Sequence, residues 1–274
     1  MKKNLFTLFC CSLLALLFLT RCQKPYPSAP CLPPVKLSKI TGLMPYHADT
    51  LHFTYNALGN PTAILRSFVS TGYPNQLFRY DKHNRLAVVI GAYDTPYYIY
   101  EFARKFVYDN AGRIIRDTGF VFGRYNPEGE PIIKTGDTIW IHHFTYDYKN
   151  RINKEIAIQL YHHQPAVKTT REFYYNADGN LYKVHRTEEE LPPLCNTNCV
   201  TASDEYFEYD NNINFHQLHP IWQFIDRDYS RNNPFKATTY NNFGLPVKLG
   251  PPSHGQEYQI FDNQIRQAEL HYQY

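Results

Sequence analysis

The stretch Phe106-Val107-Tyr108-Asp109-Asn110-Ala111-Gly112-Arg113-Ile114 recurs in near copies along most of the chain, and this repeat limits the possible folds more than any other feature. It spells a hairpin. Phe106 and Tyr108, two apart, share one face of a strand; Asp109 starts a turn; Gly112 can take positive φ; Ile114 returns the chain to the face it left. Counting from the tyrosine, position +1 is Asn56, Asp81, Asp109, Asp147, Asn176 and Asn241, residues whose side chains close on their own backbone. Position +4 is Gly59, Asn84, Gly112, Asn150, Gly179 and Gly244, the two residue types that enter the left-handed region at least cost. At +6 stand Leu86, Ile114, Ile152 and Leu181, with Leu replaced by Pro61 and Pro246 in the first and last copies. The pattern fits a type I turn followed by a left-handed residue that makes a bulge. Two shortened copies, Tyr209-Asp210-Asn211-Asn212-Ile213 and Phe261-Asp262-Asn263-Gln264-Ile265, point to tighter two-residue turns.

Motif tyrosines fall at 55, 80, 108, 146, 175, 209 and 240, and insertions collect in the returns at 71–75, 94–96, 126–131 and 188–203. Motif turns therefore belong on one rim of a sheet and the long returns on the other, as in an antiparallel meander. With Tyr146 opposite Ile152, simple alternation puts Trp140, Phe144, Ile156, Ile158 and Leu160 on an apolar face. His143, Asn153, Glu155 and Gln159 then make a polar one. The preceding hairpin sets Phe102, Phe106, Ile114, Phe120 and Phe122 against Glu101, Lys105 and Asp117 in the same way. Alternation breaks towards helix only around residues 215–229. The expected fold is all-β: an antiparallel meander of repeated hairpins over residues 37–274, in one extended sheet that curls or folds over to cover its apolar face, with one short helix near 215–229.

The first residues read as an export signal. Met1-Lys2-Lys3 is positive, and Leu5 to Thr20 is sixteen uncharged residues, short of the roughly twenty a spanning helix needs. Leu19-Thr20-Arg21-Cys22 resembles a lipobox, with Arg21 departing from the small residue usual there. Residues 1–21 are thus expected as a lipoprotein signal, Cys22 as the lipidated residue, and 22–36, which hold five prolines, as a stiff tether. An uncleaved anchor and an ordinary secretory signal are the alternatives. A net charge of +3 is too small to imply a nucleic-acid partner, and Glu188-Glu189-Glu190 suits a solvated loop.

With the unit in view, Phe-x-Tyr-Asp-x-x-Gly-Arg-Ile resembles the YD-repeat family, the tyrosine-aspartate repeats that build the β-shells of Rhs-type toxins, and looks closer still to YD-like repeat lipoproteins of Bacteroidota. Matches run from Phe53 to about Ile265. What the resemblance implies is a β-sheet repeat protein on the cell envelope, anchored by lipid to the outer membrane on its periplasmic or surface side; it implies no catalytic activity.

Candidate chemistry is sparse. His142-His143 and His162-His163 look like metal pairs, yet neighbours on a strand point to opposite faces and the two pairs lie roughly 20 Å apart in register, so no metal site is expected. His216 and His219, near Trp222, suit packing better than ligation or base catalysis. The repeated acids Asp81, Asp109, Asp147 and Asp210 are accounted for by turn chemistry, and no phosphate loop, nucleophile elbow or zinc motif is present. No cofactor is expected. Cys195 and Cys199, four apart in an exported chain, are expected to form a disulfide, with Cys31 free or intermolecular; two free thiols are the alternative. Loop aromatics Tyr73, Tyr93, Tyr97, Tyr98 and Tyr125 are the candidates for a binding surface. The expected function is a non-enzymatic, membrane-anchored scaffold or binding surface for protein or glycan; the alternative is an envelope hydrolase with its site in the variable loops.

Overall fold

The computed structural model describes residues 35–43, 47–93, 99–126, 130–192, 194–195, 199–252 and 257–274. Strand β1 (Lys36–Leu43) leads into the hairpins β2 (Ala48–Tyr55) with β3 (Pro61–Arg66), β4 (Asn75–Tyr80) with β5 (Leu86–Ala92), and β6 (Phe102–Tyr108) with β7 (Ile114–Val121). The short pair β8 (Arg124–Tyr125) and β9 (Pro131–Ile132) fills the next return. Then come β10 (Asp137–Tyr146) with β11 (Ile152–Tyr161), β12 (Gln164–Tyr175) with β13 (Leu181–Glu190), and β14 (Val200–Tyr206). Helix α1 (Pro220–Asp226) precedes β15 (Ala237–Tyr240) with β16 (Pro246–Leu249), β17 (Tyr258–Ile260) with β18 (Asn263–Ile265), and β19 (Gln267–Gln273). One antiparallel sheet of 15 strands runs in the order β14-β13-β12-β11-β10-β7-β6-β5-β4-β3-β2-β1-β19-β16-β15. Its middle is the expected meander; β19 returns from the far end of the chain to pair with β1.

All six full motif copies close hairpins, with each tyrosine opposite its +6 residue, as in Tyr108 with Ile114 and Tyr146 with Ile152. The +4 residue has positive φ in every copy, from 58° at Asn84 to 91° at Gly179. Asp109 Oδ1 accepts the N–H groups of Ala111 and Arg113, both at 2.9 Å, the local closure that favours Asp and Asn at +1. Phe261 and Asp262, both with positive φ, form the two-residue turn of the β17–β18 hairpin. The other shortened copy forms no hairpin: Ile213 makes an isolated bridge to Asn232 instead.

Two kinds of contact tie successive repeats together. The Tyr80, Tyr108, Tyr146 and Tyr175 hydroxyls donate to the carbonyls of Pro61, Leu86, Ile114 and Ile152, the +6 residues of the preceding copies, at 2.6, 2.8, 2.7 and 3.0 Å. The +5 arginines Arg85, Arg113 and Arg151 pair with Asp81, Asp109 and Asp147. The same guanidinium groups then lie over the next tyrosine rings, Tyr108, Tyr146 and Tyr175.

The turn bulge reverses the expected faces of the strand that follows it. In β11 Asn153 is the extra residue, so Phe144 faces Glu155 while Ile156 pairs with His143 on the outer face. In β7 Ile115 plays that part, and Phe106 faces Asp117. The alternation that put Ile156, Ile158, Leu160, Phe120 and Phe122 on the apolar face, and Asp117 and Glu155 on the polar one, is therefore corrected beyond each bulge. Asp117 and Glu155 are buried on the inner face, at 0% and 1% exposure.

A plug covers that inner face. The segment 207–236, which carries α1, and the β17–β18 hairpin pack on Phe53, Phe78, Phe106, Phe144 and Phe173, the residues two before the motif tyrosines. Trp222 meets Phe53 of β2 and Phe78 of β4, while Phe224, two residues on, meets Phe106 of β6 and Phe144 of β10. Strands β2 and β10 lie six steps apart, which on a flat sheet would be roughly 29 Å. One short helix reaches both because the sheet curves around it. Val35, inside the segment expected as tether, is already buried.

Candidate functional site

The motif register locates a column of residues four before the tyrosine, one step past the plug-facing phenylalanine on the inner face. From β2 onwards it reads Leu51, Gln76, Arg104, His142 and Arg171. The matching column nine after the tyrosine reads Ile64, Val89, Asp117, Glu155 and Val184. The first column passes from Leu51 and Gln76 to Arg104, His142 and Arg171, and the second from Ile64 and Val89 to Asp117 and Glu155 before returning to Val184. Around the charged positions the curved sheet, Ile225 and Arg227 of the plug, and Asp262 of the β17–β18 turn border a cleft of about 370 Å³.

Glu155 is its hub. Its carboxylate meets His142 Nδ1 at 2.6 Å, Arg171 Nη1 at 2.9 Å and Arg227 Nε at 3.3 Å. Burial acts to raise this carboxyl, but Arg227, His142 and Arg171 outweigh it and hold Glu155 well below the usual carboxylate range. Arg227 follows α1 in the left-handed region, at φ 57°, and its guanidinium stacks on Phe144 and Phe224. Arg104 makes two hydrogen bonds to Asp117 Oδ2, at 2.6 and 2.9 Å, and a third to Asp262 at 3.2 Å. Trp140 lies flat on the next strand: a Cβ at Gly119 would sit 1.9 Å from the indole. Phe102 is seated on Gly91 in the same way.

An ionised carboxylate with three donors has no proton to give and is a weak base, so Glu155 suits neither half of general acid–base catalysis. Arg171, whose side chain is 35% exposed, and Asp262, 52% exposed, present a donor and an acceptor to the open side.

His142 faces the cleft, and His143 lies on the opposite face of the strand. His162 and His163 form the β11–β12 turn, both with positive φ, five and six residues beyond Ala157, the partner of His142. His216 is buried between Asp226 at 2.6 Å and Asp228 at 3.2 Å. The two aspartates raise its pKa to about 9 against the opposing effect of burial. With His216 1% exposed, this triad holds the plug together and is closed to solvent. His219 caps α1, accepting from the Ile221 N–H at 3.2 Å.

Of the tyrosines expected at a binding surface, Tyr73, Tyr93 and Tyr125 are described, and they do not line the cleft. Tyr73 packs on His47 beneath the Arg66 guanidinium, Tyr93 donates to Glu101 at 2.6 Å, and Tyr125 lies edge-on to Tyr100. Glu101 also accepts from the Gly72 N–H, which links the Tyr73 and Tyr93 loops. Tyr97, Tyr98, Cys22 and Cys31 lie outside the described residues. A disulfide joins Cys195 and Cys199, with Cα atoms 6.2 Å apart. Glu190 stands within 4.8 Å of both sulfurs, but joined sulfurs offer no thiolate to a metal.

Sequence reasoning missed Arg104, Glu155, Arg171 and Arg227. The signal was present for the first three, as a change of residue type down two motif columns; Arg227 had none. Comparison with known protein families and with curated proteins finds no match to this chain.

Proposed function

We propose that this chain is a lipid-anchored protein of the outer membrane that acts, without catalysis, as a β-repeat binding scaffold for a protein or glycan ligand. One observation carries the binding part: the repeated residues are consumed by turns, hydroxyl ladders and core, whereas the inner-face columns turn charged where they border an open cleft. The ionised, fully engaged Glu155 supports recognition over proton transfer. The anchoring part rests on Leu19-Thr20-Arg21-Cys22 and on the resemblance to YD-like repeat lipoproteins. Among the described residues no helix is long and apolar enough to cross a membrane.

The test has two arms. Fractionation with a lipid label should place the wild-type chain in the outer membrane and release Cys22→Ser; unchanged labelling and retention in the variant would remove the anchor from the account. A pull-down from envelope extracts, with a glycan array beside it, should return a ligand that Arg171→Gln loses. A hydrolase is the second reading, favoured by the 2.6 Å approach of His142 to Glu155. Turnover of ester or glycoside substrates that disappears in both His142→Ala and Glu155→Gln would establish it instead.

A further inference from the structure

Resting on the binding function proposed above, we infer that the cleft between β6, β10–β12 and the plug takes an uncharged saccharide of one or two rings, packed on Trp140 and hydrogen-bonded between Arg171 and Asp262. The charge balance of the walls sets the ligand class. The lining arginines Arg104, Arg171 and Arg227 are matched by the lining acids Glu155 and Asp262 and by Asp117, buried behind Arg104, each acid ion-paired with one or more of the three. A charged ligand would have to displace one of these partners and leave a poorly solvated charge behind. Neutral hydroxyls, which both donate and accept, can add to such pairs without breaking them. Two exposed polar groups are of opposite kinds: Arg171 uses one N–H on Glu155 with a third of its side chain exposed, and Asp262, half exposed, accepts only from Arg104 among the described residues.

The aromatic wall supplies the other half of the argument. Trp140 is half-buried, with the Gly119 backbone beneath it, and Phe102 sits on Gly91; both line the cleft. An indole fixed in this way offers a flat, electron-rich surface to the C–H face of a sugar ring. The volume, about 370 Å³, lies near the lower end of the roughly 300–1,000 Å³ of small-molecule pockets, room for a ring or two and not for a folded peptide.

The full lipidated chain, held in a detergent without a sugar headgroup, is titrated by calorimetry and by tryptophan emission. The probes are a panel of neutral mono- and disaccharides, with glucuronate and inorganic phosphate as charged counter-probes. Trp222, fully buried, is the constant background, so a change in emission reports on Trp140. At least one neutral saccharide should saturate. Arg171→Gln and Asp262→Asn should each weaken it by about tenfold or more, as expected for lost charge-assisted hydrogen bonds, while Tyr148→Ala on the motif rim leaves it unchanged. Thermal melts establish that each variant is folded, and Arg171→Gln, at the exposed mouth, decides the matter if Asp262→Asn is not. Binding of glucuronate or phosphate in place of neutral sugars would overturn the ligand class and leave the binding scaffold standing. Saccharide binding indifferent to both variants would overturn the location, and saturation by no probe would overturn the inference outright, with the membrane and pull-down arms above unaffected.

Discussion

The Tyr146 hydroxyl donates to the Ile114 carbonyl at 2.7 Å, across from one motif hairpin to the one before it. The same bond recurs at Tyr80, Tyr108 and Tyr175, and Tyr272 of β19 makes it to Pro246 in the last copy. Each carbonyl it reaches belongs to the residue opposite the motif tyrosine, beside the bulge, where the ladder is locally interrupted. That is why the position is tyrosine and not phenylalanine: the ring fills the core edge and the hydroxyl satisfies a backbone acceptor.

Tyr146→Phe keeps the packing and removes that donor. It should cost about 1–2 kcal/mol in denaturant unfolding, against about 3–5 kcal/mol for Phe144→Ala, which empties a core position under Phe224. Equal costs would mean the hydroxyl bond has little part in stability.

Gly112 has φ +78°, and nothing lies within 4 Å of where its Cβ would be, so only backbone strain separates its variants. Gly112→Val should destabilise by about 1–2 kcal/mol and Gly112→Asn by clearly less, because Asn84 and Asn150 already hold the same position. Matching shifts in melting temperature for the two would contradict the turn assignment.

Stability should peak near pH 6.5 and fall on both sides. His216 has a folded pKa of about 9, above its unfolded value near 6.5, so its contribution is complete below 6.5 and is lost as pH rises through 9. His219 runs the other way: burial, aided by Lys36, lowers it to about 4, so its contribution is complete above 6.5 and is lost as pH falls through 4. Glu155, held below the ordinary carboxylate range, adds to the loss on the acid side. Chemical denaturation from pH 4 to 10 measures the curve. His216→Asn should flatten its alkaline limb, and an unchanged limb would detach the triad from stability.

Glu155→Ala leaves Arg227 and Arg171 without their shared anion and should cost about 3–5 kcal/mol, with Glu155→Gln costing less. Urea midpoints for the two variants check the order, and a neutral Glu155→Ala would mean the cleft charges are solvated.

The hairpins were legible because turn chemistry is local: Asp109 and Gly112 act within five residues, and every copy shows it. The faces were legible only as far as the bulge. One extra residue, Asn153 or Ile115, reverses the parity of the rest of the strand, so simple alternation puts Glu155 and Asp117 on the wrong face. The hydroxyl ladder and the +5 arginine stack join successive repeats, so alternation within one repeat could not reveal them. Comparing columns across repeats would have exposed Arg104, His142 and Arg171 as departures from Leu51. The plug was least readable. Asn214, His216, Asp226 and Asp228 meet only in three dimensions, and Phe261 docks through its N–H on Asp226 and its carbonyl on Gln76.

The central claim is a division of labour, with the repeated residues building the sheet and the inner-face columns beyond them binding the ligand. It is tested most directly by measuring unfolding free energy and ligand affinity on the same two pairs of variants. Tyr108→Phe and Tyr146→Phe should each lose about 1–2 kcal/mol of stability and bind as wild type. Arg171→Gln and Trp140→Phe should lose affinity about tenfold with little change in stability. Affinity lost with the tyrosine hydroxyls, or kept when the cleft residues change, would contradict it.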